Sequence, residues 1–181
     1  MPLFKYDPFT ESLIDMGIDG TVDEDGTTAT FEGVTDFSIF AGIARENQPP
    51  NCANATPSTD ALWPPDHKFV PIEVLGVTDP DGDTISIAID SIFQDEEVNA
   101  RGSGKTSPDG KGVGDSIAQV RAERAGTNKT PGNGRVYHIF FTADDGYGGY
   151  CSGEVLVGVP HDKKDTPVDD GPLYDSTVVD P

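Results

Sequence analysis

The stretch Arg135-Val136-Tyr137-His138-Ile139-Phe140-Phe141-Thr142-Ala143-Asp144-Asp145-Gly146 decides the fold. Tyr137, Ile139, Phe141 and Ala143 recur at a spacing of two, the mark of a β-strand with one face in a core. His138 falls on the opposite face, and Asp144-Asp145-Gly146 closes the strand with a turn. The same period returns on both sides. Val155, Val157 and Val159 form a last strand. Ala118, Val120 and Ala122 face one way, with Gln119, Arg121 and Glu123 facing the other. Val70, Ile72 and Val74 alternate, as do Ile85, Ile87 and Ile89, and Ser91 to Gln94 leads toward a further strand. No window carries a helical apolar stripe. Residues 99–115 form a long Gly-rich loop. Turn residues every ten positions or so, with about six or seven strands in about 100 residues, predict an all-β chain built on an immunoglobulin-like β-sandwich.

Three segments follow. Residues 1–45 predict a small N-terminal β unit, the tail of a β domain. Its strands are Leu3–Tyr6, Ser12–Met16, Thr28–Phe31 and Phe37–Ile43, with a hairpin signal at Asp23-Glu24-Asp25-Gly26. So small a unit buries little core alone and needs the next domain or a neighbouring chain. Residues 46–162 hold the sandwich, entered through a Pro-rich segment at 46–66 that resists helix and central strand. Residues 163–181 are Asp- and Pro-rich and read as an acidic linker or tail.

The composition excludes several functions. Gly and Pro number 21 and 15, high for a helical protein and without the period of collagen. The formal net charge of −20 argues against nucleic acid, which needs clustered Lys and Arg, and against an anionic membrane. No run of about 18 apolar residues suggests a membrane helix. The start, Met1-Pro2-Leu3-Phe4-Lys5-Tyr6, lacks a basic and apolar leader, and the chain reads as a segment of a longer protein.

Asp79-Pro80-Asp81-Gly82-Asp83 is the sharpest motif. Carboxylates at alternate positions around a tight Gly turn converge on one hard cation, and calcium takes roughly six to eight oxygens of mixed kind. A plain Asp/Gly turn that needs no metal is the competing reading. An EF-hand is excluded, because its twelfth position is Asp90 and strands flank the loop. Further ligands are expected from Asp145 and then Asp144, with Asp90, Asp95 and Asp109 behind them. Asp23 and Asp25 fit a hairpin turn better than a separate ion.

Cys52 and Cys151 are the only cysteines, and an even pair in such a chain predicts a disulfide in an oxidising compartment, as in a secreted or cell-surface protein. Closing a loop of about 100 residues predicts roughly 4–5 kcal/mol on the chain-entropy model. Zinc is not expected, since spaced Cys or His companions are missing. Of the three histidines (His67, His138 and His161), His67 follows Asp66, which is placed to orient its ring, and His138 reads as a packed or surface residue rather than a base. No catalytic residues emerge: Gly-x-Ser-x-Gly and His-Glu-x-x-His are absent, and Gly102-Ser103-Gly104-Lys105-Thr106 lacks phosphate-loop spacing. Trp63, Tyr147 and Tyr150 are the aromatics available to a sugar platform.

Three stretches carry a resemblance. Leu62-Trp63-Pro64-Pro65-Asp66-His67-Lys68 resembles the entry motif of immunoglobulin-like and HYR-like modules of secreted bacterial proteins, with Asp66 where Asn is usual. Val120 to Arg124 with Asn133 to Tyr137, and Val159-Pro160-His161-Asp162, resemble other motifs of those modules, so the likeness spans 62–162. Asp79 to Asp83 with Asp144 to Gly149 resembles the paired Asp loops of bacterial cadherin-like repeats. That likeness implies calcium held by Asp79, Asp81, Asp83 and Asp145, repeats in long chains, and adhesion or surface display. Tyr6-Asp7-Pro8 and Val34 to Phe40 resemble closing strands of anchor-type β domains.

The expectation is thus a calcium-stabilised extracellular structural or adhesion module that is not an enzyme. Its partners are neighbouring domains of the parent protein, other chains, a glycan or a surface protein. Two alternatives stand beside it. One is an accessory carbohydrate-binding domain of a secreted hydrolase. The other is a self-assembling fibre subunit, in which the tail Leu173 to Val179, or another chain, completes an edge left by the N-terminal unit.

Overall fold

The computed structural model describes residues 2–7, 12–22, 24, 29–34, 40–42, 46–127 and 129–179. The chain divides into two compact units, Met1–Glu46 and Asn47–Pro181. Every element assigned among the described residues is a β-strand.

In the first unit, β1 (Pro2–Asp7) pairs antiparallel with β2 (Ser12–Asp19). A short ribbon joins β3 (Thr21–Val22) to β4 (Ala29–Thr30), as the hairpin signal predicts. β5 (Phe40–Gly42) lies on the other side of β1, giving the order β2-β1-β5. Gly20 lets the Phe31 ring lie where a Cβ would stand. Leu3 is buried, whereas Ile14, Met16, Val22 and Val34 are exposed, in keeping with a unit of little core. Asp23 and Asp25 lie outside the described residues.

The second unit is a sandwich of two four-stranded sheets. Its strands are β6 (Thr56–Pro57), β7 (Phe69–Leu75), β8 (Ser86–Gln94), β9 (Gly110–Lys111), β10 (Ile117–Arg121), β11 (Gly126–Thr127), β12 (Thr130–Pro131), β13 (Arg135–Asp144), β14 (Tyr150–Val159) and β15 (Tyr174–Asp175). One sheet runs β6-β7-β10-β9 and the other β14-β13-β8-β15, while β11 and β12 form a separate ribbon. Ile72, Ala118 and Val120 from the first sheet meet Ile89, Ile92, Tyr137, Ile139, Phe141, Val155, Val157 and Val159 from the second. The period-two pattern thus predicts the core of β7, β10, β13 and β14.

Three expectations need correction. Residues 86–94 are one strand, not two: the register against β13 slips between Phe140 and Phe141, leaving Asp90 unpaired. This bulge shifts the alternation, so that Ile92 and Gln94 follow Ile89 into the interior. Glu123, expected on the outer face, is fully buried because it lies beyond the end of β10, where the strand parity no longer applies. Residues 163–181 fall within the second unit, and the described part, 163–179, runs along it. The Val168 N–H donates to Asn133 O at 3.1 Å and Leu173 N–H to Gln94 O at 3.1 Å. β15 then pairs with β8, the sandwich's own strand, and Ser176 is buried against Gly110.

Candidate metal centre

The loop after β7 folds around Asp79. Its Oδ1 accepts the backbone N–H groups of Asp81 at 2.8 Å and Asp83 at 3.1 Å, and Gly82 makes the turn at φ 85°. Asp79 Oδ2 is buried with no hydrogen-bond partner. Carboxylate oxygens of Asp79, Asp81 and Asp83 lie within 4.8 Å of one another. Burial and the negative charges of Asp79, Asp81 and Asp145 raise the Asp83 carboxyl above its ordinary value. The sequence motif therefore does bring its three carboxylates together.

Asp145 stands beside this group with its oxygens already engaged. Oδ1 accepts the N–H groups of Tyr147 at 2.7 Å and Gly149 at 2.9 Å, and Oδ2 accepts Asn47 Nδ2 at 2.8 Å. Burial pushes its carboxyl up, but these hydrogen bonds win and hold it below the usual aspartate range. It braces its loop and adds charge to the cluster, and it is outside the mutually close three. Asp144 is exposed and caps its own turn through Gly146 N–H at 2.7 Å, also apart from the three. Asp90 accepts the Thr142 hydroxyl, Asp95 accepts Val136 N–H, and Asp109 pairs with Arg135, so none of them joins the loop.

What ties the two acidic loops together is the entry segment, which carries no sequence signal of its own. Gln48 donates its backbone N–H to Asp81 Oδ2 at 2.6 Å and its side-chain amide to Oδ1 at 3.2 Å, while Asn47 holds Asp145. Asn51 bridges to Thr78, directly before Asp79. The predicted disulfide, Cys52–Cys151, then fixes this segment to the start of β14, with Cα atoms 5.9 Å apart. A second group of close ligand atoms, His161, Asp162 and Asp165, lies at the surface after β14.

A buried charge network was not foreseen. Arg135 Nη1 meets Asp109 Oδ2 at 2.7 Å and the Tyr137 hydroxyl at 3.1 Å, and its Nε meets Glu96 Oε2 at 3.1 Å. Burial works against the Arg135 charge, yet Tyr137, Asp109 and Glu96 outweigh it and raise the guanidinium further. Burial pushes Asp109 up, and Arg135 and Gln94 only partly draw it back. Glu123 accepts Thr106 Oγ1 and lies 3.0 Å from His67 Nδ1. Asp66, expected to orient His67, pairs instead with Lys68 at 2.5 Å. The ring of His138 is held between Glu154 at 2.6 Å and Asp169 at 2.9 Å. Arg135 shares the inward parity of Tyr137, and a charge at such a position is the signal that would have revealed the network.

No protein-family model and no curated protein matches the chain. Among solved structures, a nucleoside hydrolase-related hypothetical protein from Saccharophagus degradans, described as associated with carbohydrate metabolism, aligns at 21% identity and TM-score 0.34. The alignment covers 61% of this chain and 25% of that one, so the chain spans about a quarter of that protein's length.

Proposed function

We propose that this chain is a calcium-stabilised structural or adhesive module of a larger secreted or surface protein, with no catalytic role. The observation that carries the reading is Asp79 Oδ2, a buried carboxylate oxygen without a partner amid two further carboxylates. A buried charge left uncompensated costs several kcal/mol, and like charges beside it add to the cost. A divalent cation offsets both, and an all-oxygen donor set suits calcium rather than a soft metal. Asp79, Asp81 and Asp83 would hold the ion, while Asp145 and the Asn47–Gln48 segment brace the loops around it. The disulfide supports an oxidising compartment. Among the described residues no helix is long and apolar enough to cross a membrane. The likeness of the Asp loops to cadherin-like repeats favours neighbouring domains or other chains as partners.

The test is a thermal melt of metal-stripped protein with and without calcium. At calcium about a hundredfold above Kd the gain is about 2.7 kcal/mol, or roughly 8 °C in Tm. Asp79→Ala is expected to remove that gain. An identical melt in chelator and calcium ends the reading.

A further inference from the structure

A cleft of the sandwich lies away from the acidic loops. It has a volume of about 340 Å³ and is lined by Thr59, Trp63, Pro64, Asp66, Lys68 and Phe69 over an apolar floor. That volume sits at the low end of the range for small-molecule sites, roughly 300–1,000 Å³. We propose that this cleft binds a neutral saccharide, with one pyranose ring against Trp63 and its hydroxyls on Asp66 and Lys68.

The wall is preformed. Leu62 is buried and its N–H donates to Gly158 O at 2.8 Å, anchoring one end of the turn. At the other end His67 N–H donates to Ala122 O at 3.0 Å, and Ala122 N–H returns to Lys68 O at 2.8 Å. Between these anchors the chain's single tryptophan is left 43% exposed, while the core is filled by smaller side chains. An indole kept at a surface turn forgoes the burial it would gain inside and presents a flat apolar face. Phe69 does not duplicate it, because Lys111 and Arg121 each lie 4.3 Å from its ring centroid.

The polar groups select the ligand. Lys68 Nζ and Asp66 Oδ2 are 2.5 Å apart, so an ammonium donor and a carboxylate acceptor stand side by side. Lys68 holds the Asp66 carboxyl below its usual value, keeping the pair charged. Two adjacent hydroxyls match such a pair: one O–H donates to the carboxylate while the neighbouring oxygen accepts from the ammonium. The C–H face of the same ring covers the indole. A phosphate or uronate gains little here, because Asp66 already neutralises Lys68 and the chain carries −20. A lipid tail would strip water from the ion pair without replacing its hydrogen bonds. A proline-rich peptide needs an aromatic-lined groove, and one indole does not make one.

The single tryptophan makes the cleft self-reporting. The intact protein is titrated with cello-, xylo-, manno- and maltohexaose, following Trp63 emission, with calorimetry alongside. The expected result is a saturable emission change with at least one hexaose. In calorimetry, Trp63→Ala should weaken that binding about tenfold or more, and Asp66→Asn and Lys68→Gln should weaken it too. Chelator should leave it unchanged, since the cleft shares no residue with the acidic loop. No response to any of the four, with no retardation in gels containing soluble glucan, xylan or galactomannan, overturns the proposal. So does binding that survives Trp63→Ala, which would place the sugar elsewhere.

Discussion

Asp83 shows how one side chain ties the acidic loop to pH. Its carboxyl is raised by burial and by Asp79, Asp81 and Asp145. A raised folded value means that the fold prefers the protonated acid. The stability it contributes is complete below the ordinary value of 3.8 and is lost as pH rises through the higher folded value. Asp145 works the other way: its stabilisation is present above the ordinary value and is lost as pH falls through its lowered one. Asp95, Glu96 and Asp109 are also raised, but they sit in the buried polar regions away from the loop. On the proposed reading, added calcium would isolate the loop from them, because a bound ion favours the ionised carboxylates. Melts at a series of pH values should therefore show a calcium-induced gain that is large at neutral pH and shrinks as Asp83 protonates. Asp83→Asn should weaken calcium binding and flatten that pH dependence. The carboxylates of this cluster were legible because they alternate within five residues of sequence. Asn47 and Gln48 were not, because an amide that donates to a distant carboxylate has the same composition as any linker residue.

Among the elements, the final segment departs most from its sequence. Acidic and Pro-rich, it reads as a solvated tail, yet it closes the β8 edge. Asp169 reaches His138, Asp170 accepts Asn133 Nδ2 at 2.9 Å, and Asp109 and Gly110 both donate N–H groups to Ser176 O. Charge composition misleads here because Asp169 and Asp170 are hydrogen-bond partners of the sandwich, not members of a repelling run. The alternation in β13 and β14 was legible since each strand has one apolar face. The bulge at Asp90 was not, since nothing in Ser86–Gln94 marks where the register slips. Ending the chain after Asp162 would leave the Ile92 and Gln94 backbone groups without partners and uncover His138. The truncated protein should lose about 3 kcal/mol or more in urea unfolding, given roughly 0.5–1.5 kcal/mol per hydrogen bond and the extra cost of buried groups left unpaired. It should also self-associate through the opened edge. Asp169→Ala, which removes the His138 contact and the Gly171 N–H bond at 2.8 Å, should cost only about 1–2 kcal/mol. Equal stability of the truncated and full chains would return residues 163–181 to the status of a tail.

At the level of the whole molecule, one covalent bond and one acidic cluster act on the same segment. Cys52 and Cys151 are separated by 99 residues, so their bond removes much of the freedom of the unfolded sandwich. Cys52 also follows the residues that reach across to Asp81 and Asp145. The bond thus lowers the entropy of holding Asn47 and Gln48 in place, which should favour the loop arrangement proposed to hold calcium. Replacing both cysteines by alanine should lower stability by about 2–5 kcal/mol and Tm by roughly 10 °C. It should also weaken calcium binding, because part of the binding energy then orders the entry segment. The two effects separate experimentally. Stability is read from denaturant unfolding in chelator, and calcium affinity from calorimetry at a temperature where the variant is fully folded. A variant that is less stable yet binds calcium as tightly as the parent would mean that the disulfide constrains only the unfolded chain. Weaker binding in the folded variant would place the bond inside the mechanism by which a chain of net charge −20 keeps its carboxylates gathered.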